Sequence, residues 1–271
     1  MNFETSIELE KAFSDIIFVE KDHEYFISGE PAMMSVSQLI KKYEKPFELQ
    51  KMALRVAQRD GFTVEEILQQ WDFSKDYSCH KGSDFHKYVE NYFNRKKVSL
   101  DSDSINLFFE KRKTFKMDTS IKSYYKEMAL LIRNFLNFYE WWKQDHILIK
   151  SEFVIGDKNS KICGTIDNLS YNFKTKELVI FDYKTNKEIK KHNKYKERLL
   201  KDLNHLDNCE FIKYSLQMSL YSIIIENCTN FKIPKSYIVW VNGKDDYELI
   251  ECANLKKESE SILNNKKNID L

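Results

Sequence analysis

The feature that most constrains this chain is a change of hydrophobic period near residue 150. Across roughly 122–144 the apolar residues recur at helical spacing, which predicts one long amphipathic helix. Immediately after it come SEFVIG (151–156), KICGTIDNLSY (161–171) and ELVIFDYKT (177–185), three strand-like runs separated by the polar turns DKNS and NFKTK. They read as a β-meander. YSLQMSLYSIIIEN (214–227) then returns to helical spacing with one strongly apolar face. SYIVWVNG (236–243) is a β-branched and aromatic strand, and YELIEC (247–252) is a further edge strand. A helix, a meander, a helix and a strand require a mixed α/β fold with helices against a central sheet.

The N-terminal half is predicted to be mostly helical. IIFVEKDHEYFISG (16–29) is the exception, two apolar runs around a polar KDH turn, hence a small hairpin. SVSQLIKKYEKPF (35–47) reads as a short helix with Ser37 as N-cap and Pro46 near its stop. Residues 47–95 are helical in pieces, 99–120 form a polar surface excursion, and the lysine- and asparagine-rich C-terminal segment frays. The division expected is 1–120, the hairpin and helical portion, and 121–271, the core, with a single domain as the alternative.

Composition narrows the class of function. Five cysteines without a CxxC pair argue against a disulfide framework and an obvious zinc site, and for a reducing compartment. The acidic opening MNFETSIELEKAF is unlike a signal peptide, and no run is apolar and long enough to span a membrane. With a net charge of only +1, any nucleic-acid surface has to come from local clustering.

Chemistry concentrates at the end of ELVIFDYKT. Residues two apart on a strand share a face, so Asp182 and Lys184 project together and Tyr183 points away. Two charges delivered by an apolar strand are costly unless they pair or hold a ligand. A surface ion pair satisfies that condition. So does a carboxylate on Mg²⁺ or Mn²⁺ beside a lysine that faces a phosphate or an attacking water. Asp167, in GTID on the preceding run, lies where a meander would bring it beside Asp182, so both can share one cation. By itself it is also a plausible turn residue. Glu152, one strand earlier, is a third candidate carboxylate, or a solvent-facing strand residue.

Two helices add further candidates. In KGSDFHKYVENYF, Gly82, His86 and Glu90 are four apart and form one stripe, with His86 a possible nitrogen ligand and Gly82 a place of close approach. Gln217 and Tyr221 share a face of the later helix and can hydrogen-bond a phosphate or a water. Beyond Lys184 the chain is rich in lysine: Lys187, Lys190, Lys191 and Lys194, with Tyr195 interleaved. That pattern suits either a solvated face or contact with a phosphate backbone.

Taken in order, GSDFHKYVE (82–90), GTID (164–167), DYK (182–184) and QMSLY (217–221) resemble the RecB-type branch of the PD-(D/E)XK nuclease superfamily. SVSQLIKKYEKPF and HLDNCEFIKYSLQMSLY are also similar to segments of phage-type and mitochondrial-genome-maintenance-type exonucleases of that branch, so the resemblance covers roughly residues 16–243. It implies a restriction-endonuclease-like core with a mixed central β-sheet flanked by helices, plus a helical N-terminal portion. It implies Mg²⁺ or Mn²⁺ on His86, Asp167, Asp182 and the Tyr183 carbonyl. Lys184 would act on the water, with Glu152 as an accessory acid. Gln217 and Tyr221 would support the site and contact the DNA backbone, and Glu90 would support the helix that carries His86.

The activity implied is phosphodiester hydrolysis leaving 5′-phosphates, most simply by an exonuclease on single-stranded or duplex DNA ends. Its setting would be recombination, repair or phage replication, beside recombination or replication proteins in the cytoplasm of a bacterial cell or phage-infected host. A structure-specific or restriction-like endonuclease and a non-catalytic DNA-binding module are the alternatives. Some relatives hold an iron–sulfur cluster on four cysteines. Cys209, Cys228 and Cys252 are too scattered for that, so no cluster is expected, and they are read as buried small apolar side chains.

Overall fold

The change of period marks a change of secondary structure. The computed structural model describes residues 2–111, 119–242 and 246–265. The chain opens with α1 (Asn2–Ala12) and continues into β1 (Ile16–Val19), β2 (Glu24–Ile27) and β3 (Glu30–Pro31), a small antiparallel sheet. β4 (Met34–Ser35) then leads into α2 (Val36–Lys41). The N-cap of α2 is Ser35, not Ser37. Its hydroxyl accepts the Gln38 N–H while the Gln38 side chain accepts the Ser35 N–H, and this S-x-x-Q capping box fixes the start two residues early.

Next come α3 (Leu49–Asp60) and α4 (Val64–Phe93), the latter unbroken for 30 residues from a Thr63–Glu66 capping box. The stretch read as a polar excursion contains α5 (Ser102–Glu110). Asp101 caps it, and Ile105, Phe108 and Phe109 turn inward against Tyr77 and Tyr124, which is why it is not a loop. The remainder of that stretch, 112–118, lies outside the described residues. α6 (Ile121–Trp142) is the predicted long helix.

β5 (His146–Asp157), β6 (Ile162–Asn172) and β7 (Glu177–Lys184) form the predicted meander. α7 (Glu210–Cys228), β8 (Lys235–Val241), β9 (Tyr247–Glu251) and α8 (Lys256–Leu263) complete the chain. The segment expected to fray thus starts as a helix, held by buried Ile262 and Leu263. Its end, 266–271, lies outside the described residues.

The six-stranded sheet is mixed. β6 pairs antiparallel with β5 along its length. On its other edge it pairs first with β4, parallel, at Ile162 and Cys163, and then with β7, antiparallel, from Asn168 to Asn172. β8 runs parallel to β7, and β9 antiparallel to β8. Helices flank both faces. Val179, Phe181 and Tyr183 of β7 join Phe85 of α4 and Phe135 and Phe138 of α6 in one core. Leu178 and Ile180 join α2, α7 and the end of α1 in the other. Each fully buried aromatic contributes roughly 2–3 kcal/mol. Period-two alternation therefore sends Asp182 and Lys184 to the α7 side.

Candidate active site

GTID is the stretch of β6 between the β4 ladder and the β7 ladder. The ladders stop at Cys163 and Asn168, and the strands part between them. Asp167 lies in this opening and its Oδ2 accepts the backbone N–H of Tyr183 at 2.8 Å, so a side chain replaces the next rung. At the other end of the motif Gly164 lies under Tyr221, and a Cβ there would stand only 2.5 Å from the ring carbon Cε1. Glycine is required at this point by close approach, not by its backbone angle.

Three elements converge on the opening. His86 arrives from α4, with Nδ1 3.5 Å from Asp167 Oδ2 and 3.7 Å from Glu152 Oε1. One ligand atom from each of His86, Glu152 and Asp167 lies within 4.8 Å of the other two. Glu152 is delivered by β5 in a left-handed conformation, φ 46°, unusual for a non-glycine residue inside a strand. Such a conformation costs on the order of 1–3 kcal/mol and persists only when its surroundings enforce it.

Asp182 and Lys184 lie next to this trio. Asp182 is 2% exposed, and Lys184 Nζ is 2.5 Å from its Oδ2, a largely buried ion pair. The Lys184 ammonium also stands 4.9 Å from the centre of the Tyr214 ring, a cation–π contact. Asp182 Oδ2 thus turns to the lysine, and the described trio of ligand atoms contains Glu152 in its place. In the sequence the motifs group Asp182 with His86 and Asp167 and leave Glu152 as an accessory.

Crowding of charge shifts the titrations. Burial pushes Asp182 up to about 6 against the pull of Lys184, with repulsion from Asp167 adding to the rise. Burial likewise raises Asp167, opposed by His86. Burial by itself would lower His86, but Asp167 and Glu152 outweigh it and hold the imidazole at about 9. Lys184 rises because Asp182 and Asp167 overcome its burial. Burial also keeps Tyr183 and Tyr221 protonated, as hydrogen-bonding phenols.

The donor set fits a hard divalent cation. Oxygen-rich sites of Mg²⁺, Mn²⁺ or Ca²⁺ have bonds of about 2.0–2.6 Å, so ligand atoms sharing one ion lie about 3–5 Å apart. The trio has this spacing.

The other predicted residues are placed as follows. Gln217 Nε2 donates to Tyr221 OH at 2.9 Å, and that pair roofs Gly164. Glu90 does not touch the trio; it pairs with Lys87 and Lys96 on the same helix end. Gly82 is not forced by close approach, since a Cβ would meet Thr185 Oγ1 at 3.8 Å, ordinary contact. Lys187, Lys190, Lys191, Lys194 and Tyr195 are all exposed. Lys190 lies 4.0 Å from Glu210 and Lys191 4.0 Å from Glu248, which dilutes the positive field there. Cys163 and Cys209 are buried, but Cys228 is exposed and Cys252 half-buried, so the reading of these thiols as core residues fails at Cys228, which sits at the end of α7.

Two residues near the site escaped sequence reasoning. Tyr214 precedes Gln217 by three positions and Tyr221 by seven, so helical spacing alone would have joined it to that face. Tyr25 comes from the N-terminal hairpin and shares a 3.0 Å hydrogen bond with Thr165 of GTID. No local pattern points across 140 residues.

No protein-family model matches the chain, and no curated protein matches it in sequence. Among solved structures the chain is similar to one described as a candidate exonuclease from Eubacterium rectale, with 16% identity, a TM-score of 0.40, and coverage of 71% of this chain and 66% of that one. The match spans just under two thirds of that protein, and at this TM-score it bears on neither family nor activity. No helix among the described residues is long and apolar enough to cross a membrane.

Proposed function

We propose that the protein is a divalent-cation-dependent DNA nuclease of the PD-(D/E)XK superfamily, RecB-type branch, and that it acts as an exonuclease on DNA ends. The observation that carries this reading is the convergence of His86, Glu152 and Asp167 from three separate elements, with the Asp182–Lys184 pair beside them. Three carboxylates, two of them largely shielded and Glu152 34% exposed, face the two positive charges of His86 and Lys184, and the excess negative charge favours a cation. The ordered motifs of the sequence add the superfamily.

In this reading His86, Glu152 and Asp167, with Asp182 and the Tyr183 carbonyl, hold Mg²⁺ or Mn²⁺. When bound, such an ion supplies Lewis acidity toward a phosphate oxygen and acidifies a water. Lys184, held by Asp182 and the Tyr214 ring, orients that water and balances charge that develops on the phosphate. Asp167 ties the end of β7 to β6 through Tyr183 and so fixes the spacing of the acids. Gln217 and Tyr221 line the roof and offer hydrogen bonds to the DNA backbone, and Lys187, Lys190, Lys191 and Lys194 with Tyr195 extend that contact. The proposed setting is DNA recombination, repair or phage replication in the cytoplasm of a bacterial cell or infected host.

The test uses end-labelled linear single- and double-stranded DNA and closed circular DNA, with Mg²⁺ or Mn²⁺, against Asp182→Ala and Lys184→Ala. Loss of linear substrates only, abolished in both variants, is expected. Nicking of closed circles would move the reading to an endonuclease. Binding without cleavage under either metal would leave a DNA-binding module and end the catalytic claim.

A further inference from the structure

Beside the candidate centre, α4 and the chain leaving β7 enclose a cleft of about 470 Å³. Ser78 and Lys81 stand on the α4 wall. Thr185, Asn186 and Lys187, which directly follow Lys184, form the facing wall. The cleft neighbours the centre along both walls: Ser78 lies two α4 turns before His86 on the same stripe, and Thr185 directly follows Lys184. Between them Gly82 leaves open the space beside Thr185, where an added Cβ would stand 3.8 Å from its Oγ1.

Its polar groups are arranged for an incoming anion. Lys81 is only 12% exposed at its side chain, with Nζ 2.5 Å from Glu127 Oε2 and 5.3 Å from the centre of the Tyr77 ring. Tyr77 OH donates to the other Glu127 oxygen at 3.1 Å. Glu127 is thus engaged at both oxygens, while an ammonium has three donors and Lys81 spends one on it. The exposed Lys187 adds a second cation from the opposite wall. Thr119 Oγ1, also in the lining, is buried without a hydrogen-bond partner among the described residues. A polar guest would satisfy a hydroxyl that the protein does not.

We propose that this cleft is a subsite for one nucleotide flanking the scissile phosphate. Its phosphate lies between Lys81 and Lys187, and its sugar and base lie against Ser78, Thr185 and Asn186. The inference rests on the nuclease reading. The volume is that of a pocket for one small ligand, about 300–1,000 Å³.

The probe is thymidine 5′-monophosphate, titrated calorimetrically into the metal-free protein so that the acidic centre does not capture the phosphate. The wild type is expected to bind it. Ser78→Trp, a change at an exposed position that fills the cleft, should weaken binding at least tenfold. Lys81→Gln should weaken it about tenfold, as expected for a lost charge-assisted hydrogen bond. Lys81→Gln should leave any binding of unphosphorylated thymidine unchanged. No binding to the wild type at millimolar concentration, or equal binding by Ser78→Trp, overturns the inference, and circular dichroism melting confirms that each variant is folded. Cleavage of a single-stranded oligonucleotide with Mn²⁺ is measured in parallel. Cleavage without mononucleotide binding defeats the cleft alone. Mononucleotide binding with the expected losses but no cleavage defeats the nuclease reading, and with it the subsite as a part of hydrolysis.

Discussion

Replacing Gly164 by alanine tests the packing that brings α7 over the opening in the sheet. The added methyl would stand 2.5 Å from Tyr221 Cε1, 3.1 Å from its hydroxyl oxygen and 3.2 Å from Cζ. Carbon atoms pack best at about 3.5–4.0 Å, so the ring has to retreat by roughly 1 Å. It has little room, being buried and bonded through its hydroxyl to Gln217. Overpacking of this kind costs about 1–3 kcal/mol. Breaking the bond to Gln217 as the ring moves adds up to about 1 kcal/mol. Urea denaturation should therefore show Gly164→Ala less stable by about 2–3 kcal/mol. Tyr221→Phe should not rescue it, because the offending ring edge remains. Tyr221→Ala should, so the double variant Gly164→Ala/Tyr221→Ala would lose at least about 1 kcal/mol less than the sum of the single losses. Additivity within about 0.5 kcal/mol, or a cost below that for Gly164→Ala alone, would refute the placement of Tyr221 over GTID.

Four further outcomes are expected. Glu152→Gly removes a carboxylate but relieves a left-handed backbone, so the variant should melt no lower than the wild type, with stability up by about 1 kcal/mol, while thermal-shift stabilisation by Mn²⁺ falls sharply. Gly82→Ala should gain up to about 1 kcal/mol in chemical denaturation, since the helix profits and the new methyl meets only Thr185 at ordinary distance. Ser35→Ala should lose about 1 kcal/mol through the broken capping box. The last concerns pH. Asp182, near 6, and His86, near 9, both hold protons more tightly in the folded metal-free protein than in an unfolded chain. Asp182 accordingly costs stability as pH rises from its ordinary 3.8 through 6, and the stabilisation from His86, complete below 6.5, is lost as pH rises through 9. Metal-free protein should melt higher at pH 5.5 than at pH 8, whereas the Mn²⁺-induced rise in Tm should be larger at pH 8, where ligands shed protons more readily.

Much of the fold was legible because period is a local property. The long helix, the meander and the later helix and strand each declare themselves within their own residues. The failures have physical causes of the same kind. Ser35 and Ser37 are both plausible caps, and only the reciprocal bond to Gln38 selects the first. α5 looked like a loop because it is short and set between polar stretches, yet its Ile105, Phe108 and Phe109 pack with aromatic residues of α4 and α6. α8 was hidden by its polar residues, of which Lys257 stays outside and Lys256 pairs with Glu226, while Ile262 and Leu263 go in.

The candidate site was legible only as residue types, because its geometry depends on where two strands stop pairing. Nothing in GTID or DYK says that the β6–β7 ladder ends at Asn168, yet that end lets Asp167 turn to the Tyr183 N–H and meet His86. The same end changes the ranking of the acids. With β7 displaced from β6, Asp182 settles against Lys184, and β5, still in register with β6, supplies the third ligand atom from Glu152 by a left-handed twist of its own backbone. A strained glutamate inside a strand needs an interaction that offsets about 1–3 kcal/mol. Among the described residues its ion-pair contact is His86, 3.7 Å away. A cation drawn in by Asp167 and His86 would supply the rest, which makes Glu152, and not the motif aspartates, the residue whose replacement should separate cation affinity from fold stability.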